Sequence, residues 1–285
     1  MVIVRIWEGL GNQMFQYAFA RALKEKGVDV RIDLKKAYDE IFEKNKKHDF
    51  RCNSIQNYQI TLPEIDVEDY GKYNYLRKKT IEDKIFYWMG THSMLKYKFY
   101  EEKMNKKLGN SIQRKGDCYI KGWFQNEQYF KEIRKILLKE FIPYQKIKIS
   151  KEIGDILKDK ESVSIHIRRK DYVKMQNELN MSYYNRAIAF INKIYINPVF
   201  LIFSDDLKWV KDNFKINNNF FLIDENIKDY EALIIMSKCR SNIIANSTFS
   251  WWGAWLNKNE RKYVIAPKQW FPTQRNIVLN DWTII

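Results

Sequence analysis

Apolar and polar positions alternate with a period of two across residues 162–167, where Val163, Ile165 and Ile167 interleave with Ser164 and His166. That pattern predicts a strand. It stops abruptly, and Arg168, Arg169, Lys170 and Asp171 follow at once. The chain opens in a similar way. Residues 2–6 read as a buried strand, Gly9-Leu10-Gly11-Asn12-Gln13 as a glycine turn, and Met14, Phe15, Ala18, Ala22 and Leu23 as one face of a helix ending near Gly27. Residues 28–32 predict a second strand. Residues 34–116 are mostly helical by pattern, with turn signals near Asn53 and Pro63. A short strand at 119–123 and a helix over 126–141 follow, ended by Pro143, and the Lys-rich run 145–151 reads as a linker.

Downstream the pattern repeats strand and helix in alternation. A helix over 181–194, a strand at 199–203, a helix capped by Ser204-Asp205-Asp206, and a strand at 220–223 come in turn. A helix over 230–239 and strands at 242–245 and 263–266 complete the series. Strands alternating with helices imply a parallel sheet covered on both faces. The expectation is an α/β chain of two domains, residues 1–147 and 148–285, with a cleft between them.

Composition narrows the field. A chain of 285 residues with 45% hydrophobic and 15% aromatic residues folds into packed domains. Lys and Arg number 50 against 35 Asp and Glu, a formal charge of +15. Such a balance favours acidic partners: nucleic acid, an anionic membrane face or a phosphorylated substrate. The lysines are scattered along the chain, which argues against a nucleic-acid patch. Cys52, Cys118 and Cys239 are odd in number and far apart, so a reducing compartment is expected, and His48 with Cys52 is too little for a zinc site. No stretch is long enough to span a membrane. The protein is expected to be cytoplasmic, with peripheral contact at the inner membrane face open to its basic surface.

Candidate chemistry gathers at strand ends. The paired Arg168 and Arg169 suit a multiply charged anion, because guanidinium forks match phosphate oxygens. A solvated charged turn is the plainer alternative. Neighbours on a regular strand point to opposite faces, so both arginines reach one anion only if the strand ends at Ile167. Asn246, Ser247, Thr248, Phe249 and Ser250 stand between a strand and a helix, where hydroxyls and amides seat phosphate or simply cap the helix. Asp205 and Asp206 read more readily as caps than as a catalytic pair. The aromatics Tyr70, Tyr73, Tyr75, Phe86, Tyr87, Trp88, Tyr97, Phe99 and Tyr100 form either core or a sugar-binding surface, core being the commoner fate. Gly9-x-Gly11 is not a dinucleotide fingerprint, since its third glycine position is Met14. No Asp-x-Asp triplet occurs in the chain.

Three segments together resemble one family. They are residues 9–18 (Gly-Leu-Gly-Asn-Gln-Met-Phe-Gln-Tyr-Ala), 166–172 (His-Ile-Arg-Arg-Lys-Asp-Tyr) and 246–254 (Asn-Ser-Thr-Phe-Ser-Trp-Trp-Gly-Ala). With Gly122-Trp123-Phe124-Gln125, Phe203-Ser204-Asp205-Asp206 and Pro267-Lys268-Gln269-Trp270, they are similar to the α-1,2-fucosyltransferases of glycosyltransferase family 11. The resemblance implies a glycosyltransferase B-type fold of two Rossmann-like domains, the N-terminal one on the acceptor side and the C-terminal one holding the sugar nucleotide. It implies inverting, metal-independent transfer of L-fucose from GDP-β-L-fucose to the 2-hydroxyl of a terminal β-galactoside, free or lipid-linked, with no cofactor.

By that resemblance Arg168 contacts the pyrophosphate, and Arg169 contacts it too or holds the loop through Asp171. His166 flanks the nucleotide, and Ser247, Thr248 and Ser250 bond phosphate or base. Gly11 and Asn12 approach the donor from the first domain. Asp205, Asp206, Glu231 and Asn246 complete the donor set. This sequence departs from the family pattern at Glu8 and Lys170, where glycine is usual, and at Ala232, where an acid that recognises guanine is usual and Glu231 is adjacent. Glu8 is a candidate general base, since inversion requires a group to take the acceptor proton. The rival readings are a related transferase with another donor or linkage, a basic nucleic-acid-binding protein, and a non-catalytic sugar-binding module.

Overall fold

A computed structural model describes residues 1–34, 53–73, 81–92, 94, 96, 98–102, 117–224, 226–270 and 277–285. His48, Cys52, Tyr75 and Tyr97 lie outside the described residues. The chain divides into two compact units, Met1–Tyr144 and Gln145–Ile285.

The N-terminal unit begins with β1 (Val2–Arg5), α1 (Leu10–Glu25) and β2 (Val30–Asp33). Short α2 (Val67–Gly71), α3 (Ile81–Thr91), β3 (Lys98–Glu101), β4 (Cys118–Lys121) and α4 (Arg134–Glu140) follow. The four strands form a parallel sheet in the order β2-β1-β4-β3. Strand β3 falls within a stretch whose pattern predicts helix. Glu127–Tyr129 and Lys131–Ile133 form two short 3-10 turns, and the α-helix starts only at Arg134.

Helix α1 is buried nearly all round, beyond the single face its apolar spacing predicts. A polar network on its far side makes this possible. Glu140 accepts from Tyr17 Oη at 2.6 Å, Arg21 Nε at 2.8 Å and Thr61 Oγ1 at 2.7 Å. A buried carboxylate costs heavily unless its oxygens are bonded, and here both are.

The C-terminal unit contains α5 (Lys151–Asp159), β5 (Ser162–Ile167), α6 (Lys170–Lys174), α7 (Met181–Ile194), β6 (Val199–Ser204) and α8 (Leu207–Asn213). It continues with β7 (Phe220–Leu222), α9 (Asp229–Lys238), β8 (Ser241–Ile243), α10 (Thr248–Leu256), β9 (Val264–Ala266) and β10 (Thr283–Ile284). All six strands are parallel, in the order β10-β9-β8-β5-β6-β7. The pattern of the sequence missed α5, which follows the Lys-rich run, and β10, which is only two residues long.

Two-sided coverage is legible in β6. Phe200 and Ile202 join α7 and α8 on one face, while Val199, Leu201 and Phe203 join α5 and α9 on the other. In β5 the hydrophobic set faces α7, and the polar set is buried rather than solvated. Asn242 Nδ2 donates to Ser164 Oγ at 2.7 Å, and the backbone N–H of Arg240 donates to Ser162 Oγ at 3.2 Å. The chain is thus α/β throughout, two Rossmann-like units built on parallel sheets.

Candidate active site

In the C-terminal unit the chain winds outward from β5 through β6 to β7, then returns to lay β8, β9 and β10 on the other side. The switch point lies between β5 and β8. Open α/β sheets bind ligands outside the carboxyl ends of their strands at such a point. Because β8, β5 and β6 are adjacent, residues 246–250, 168–171 and 204–206 leave the sheet side by side.

Strand β5 ends at Ile167, so Arg168 and Arg169 are free of strand geometry. Arg168 is held by two carboxylates: Nη1 lies 2.9 Å from Asp205 Oδ2 and Nη2 lies 2.6 Å from Asp171 Oδ1. Burial works against its charge, but Asp205 and then Asp171 more than offset that, and the guanidinium pKa is raised. Arg169 stands over Trp209, its Cζ 3.6 Å from the ring centroid, with Nε 3.4 Å from Asp206. Its backbone N–H donates to Asp205 Oδ1 at 2.8 Å.

Asp205 therefore binds the backbone of one arginine and the side chain of the other. Asp206 caps α8 through the N–H of Trp209 at 3.1 Å, the role the sequence favoured, and also reaches Arg169. The pair orders the arginines. Trp209 and Tyr172, whose ring lies 5.5 Å from Arg168, were missed in the sequence. A Trp three residues into a helix that begins beside the arginine loop was the available signal.

Opposite, Ser247 is the N-cap of α10, yet its side chain makes no capping bond. The first N–H groups of a helix lack intrahelical partners and attract anions. Ser250 Oγ instead takes the N–H of Ala245 at 3.2 Å, so this hydroxyl shapes the loop from inside. Asn246 Nδ2 donates to the carbonyls of Asn177 at 2.9 Å and Trp270 at 3.1 Å, while Tyr172 Oη donates to the Asn246 carbonyl at 3.0 Å. Thr248 is half-buried at the helix entrance.

His166 is buried at the end of β5, with Phe249 5.5 Å away between ring centroids. Burial, reinforced by the nearby Arg168 charge, pushes its imidazole down to about 3. At neutral pH it is therefore uncharged, a hydrogen-bonding group and not a phosphate cation. His166 Nδ1 and Asn246 Oδ1, both buried, have no hydrogen-bond partner among the described residues. Glu231 lies half-buried in the first turn of α9, and Ala232 packs into the core with Leu201, Phe203 and Phe249.

The N-terminal unit has its own switch point, between β1 and β4. Glu8 follows β1 with φ +66°, and Phe124 follows β4 with φ +50°. This left-handed region costs a side-chain-bearing residue roughly 1–2 kcal/mol, which explains why glycine suits the Glu8 position. The Glu8 carboxylate is oriented in return: Oε2 accepts from Asn12 Nδ2 at 2.6 Å and from Trp123 Nε1 at 3.1 Å. Gln125 Nε2 donates to Asn12 Oδ1 at 2.9 Å. Gly11 is buried in the first turn of α1.

Behind this cluster, Glu102 Oε2 accepts the backbone N–H groups of Trp123 at 3.0 Å and Phe124 at 2.7 Å. Gly122 permits that approach, since a Cβ there would stand 2.7 Å from the Glu102 Cβ. Burial raises the Glu102 carboxyl above its ordinary range, partly countered by the Phe124 N–H. Trp123, Gln125 and Glu102 had been assigned no role from sequence, although the first two stand in the segment 122–125 that resembles the family.

Comparison with known proteins places the chain in a family. The profile of "Glycosyl transferase family 11" matches residues 76–285. The chain is 32% identical to an Escherichia coli "Alpha-1,2-colitosyltransferase", over 95% of this chain and 92% of that protein. It is 30% identical to the E. coli "O-antigen biosynthesis glycosyltransferase WbnK", over 96% and 97%. A "Galactoside alpha-(1,2)-fucosyltransferase 1" of Leontopithecus chrysomelas is 20% identical over 52% of this chain and 46% of its own length. The chain is a glycosyltransferase and belongs to glycosyl transferase family 11.

Proposed function

We propose that this glycosyltransferase transfers a 6-deoxy-L-galactose-type sugar from a GDP-linked donor to the 2-hydroxyl of a terminal β-galactoside, inverting the anomeric centre, in surface-polysaccharide synthesis. The observation that carries the reading is the meeting of Arg168, Arg169 and the uncapped start of α10 at the switch point of the C-terminal unit. Fixed cations and helix amides can stabilise the charge that develops on a departing diphosphate without a metal ion. His166 and Asn246 supply neutral hydrogen bonds to the nucleotide or sugar. The N-terminal unit takes the acceptor, and Asn12, which donates to the Glu8 carboxylate, faces the phosphate or sugar of the donor.

In this reaction the bond from C1 to the diphosphate oxygen breaks as the acceptor O2 bonds C1 from the opposite face. The diphosphate leaves with the electron pair. Glu8 takes the hydroxyl proton, a role supported by an oriented carboxylate kept at a backbone position that favours glycine. Two donors fit: GDP-L-fucose, and its 3-deoxy counterpart GDP-colitose, the latter favoured by full-length similarity to a colitosyltransferase.

Incubation with each GDP-sugar, with GDP-mannose and UDP-galactose as controls, and with a panel of galactosides tests the reading. NMR of the product should show an α-1,2 linkage from one of the two L-galacto donors. Transfer from the controls alone, or to another hydroxyl, overturns it.

A further inference from the structure

At the switch point of the N-terminal unit the cradle around Glu8 contains two indoles. Continuing the β1–β4 register, in which Val4 lies opposite Ile120, places Trp7 opposite Trp123. Their ring centroids are 5.8 Å apart, with the planes at 32°. Cations fix Trp7: Lys121 Nζ lies 4.9 Å and Arg5 Cζ 5.4 Å from its ring centroid. Lys121 is itself tied to Glu101 at 3.1 Å. Trp123 is fixed at both ends. Its backbone N–H donates to Glu102 Oε2 at 3.0 Å, and its indole Nε1 donates to Glu8 Oε2 at 3.1 Å. It is nonetheless only half-buried, and among the described residues Trp7 is the one ring in contact with it.

A fixed, partly exposed indole beside a carboxylate and amides suits a sugar. The axial 4-hydroxyl of a β-galactopyranose occupies one face, leaving the other to C–H groups that an aromatic ring removes from water. The remaining hydroxyls project from the rim, where they need polar partners. Those partners are in place. Glu8 Oε2 lies at the N–H edge of the Trp123 ring. Gln125 Nε2 donates to Asn12 Oδ1 at 2.9 Å, and the Gln125 amide oxygen makes no bond to another described residue. One hydrogen bond joins the ring to the carboxylate proposed as base, so a sugar on the first presents a hydroxyl to the second.

We infer that Trp123 is the platform on which the terminal pyranose of the acceptor stacks, its 2-hydroxyl at Glu8 and a neighbouring hydroxyl on the Gln125 amide. The inference rests on the proposed reading of the N-terminal unit as the acceptor side. Steady-state kinetics of Trp123→Leu and Trp123→Phe with methyl β-galactoside test it, with thermal unfolding as the check on folding. Trp123→Leu should raise the acceptor KM at least about tenfold. Trp123→Phe should hold that KM within about threefold and lower kcat instead, because the ring remains while Glu8 loses its indole donor. An unchanged acceptor KM in Trp123→Leu, or an equal rise in both variants, overturns the inference and leaves the proposed reaction standing. If Trp123→Leu does not fold, Trp123→Phe decides, and a rise of about tenfold in its acceptor KM overturns the inference. Should the wild type transfer nothing to galactosides, the proposed reaction falls, and saturation-transfer NMR with methyl galactoside, glucoside and mannoside decides the platform alone. Transfer to pyranose ring protons that Trp123→Phe keeps and Trp123→Leu loses supports it, and absence of that transfer overturns it.

Discussion

The two units solve one structural problem in the same way and then diverge. Each reverses its winding at a central strand, and each uses a carboxylate at the end of the next strand to shape the loop at that reversal. Glu102, after β3, takes the N–H groups of Trp123 and Phe124. Asp205, after β6, takes the N–H of Arg169. The difference is electrostatic. Asp205 also pairs with the Arg168 guanidinium, whereas Glu102 serves backbone amides and the Tyr129 hydroxyl. On the proposed function, one reversal is a site for an anion. The other becomes an amide-and-indole cradle around a single exposed carboxylate, Glu8. Parallel sheets provide a place for chemistry, and the charge of a few loop residues decides which chemistry.

The comparison can be broken most directly at Glu8. If Glu8 is the base, Glu8→Gln should lower kcat by about 10²–10⁴-fold while leaving GDP affinity intact. An unchanged kcat removes the base from the N-terminal unit. Next in size, Arg168→Ala should cost about 10²–10³-fold in turnover, and Arg168→Lys should restore little, because one ammonium cannot replace the fork. Near-normal turnover in Arg168→Ala would end the assignment of the anion site.

The two organising carboxylates should respond unequally to neutral isosteres. Asp205→Asn leaves a buried guanidinium short of a counter-charge, and a loss on the order of 10–100-fold in kcat/KM is expected, as for other groups that orient a functional ligand. In Glu102→Gln the amide oxygen still accepts N–H bonds, so kcat/KM should stay within a few-fold. Equal losses in the two variants would erase the contrast drawn between the units.

A further effect is one of stability. The folded pKa of His166 is depressed, so the unfolded chain binds a proton below about pH 6.5 that the folded chain refuses. The stability this group contributes is complete above that pH and is lost as pH falls toward about 3. Denaturant unfolding at a series of pH values should show a decline of about 2 kcal/mol by pH 5 from this group. His166→Gln should flatten that slope by about 1.4 kcal/mol per pH unit. Parallel slopes for the two proteins would mean that His166 is not buried in its neutral form.

Much of the C-terminal unit was legible in the chain. Its strands are short apolar runs between polar strand ends, and the end of β5 at Ile167 was marked by the arginines themselves. The N-terminal unit was harder to read. Strand β3 carries Lys98, Tyr100 and Glu101 among its four residues, so its composition does not distinguish it from neighbouring helix, and pairing with β4 settles its state. The uniform burial of α1 was hidden because the Glu140 network that covers its far side joins residues over a hundred positions apart.

By itself the sequence determined the α/β alternation, the polar strand ends, the family, and the residues at which this chain departs from that family. Those properties are local: periodicity, composition and motif spacing are written in consecutive residues. Only the tertiary structure decided that the three polar strand ends are neighbours, since strand order is set by long-range pairing. It also decided that Asp205 and Asp206 orient the arginines, that His166 is uncharged, and that Glu8 occupies a left-handed backbone position. Each of these depends on burial and on partners far away in the chain, and desolvation and hydrogen bonding act through space whatever the sequence separation.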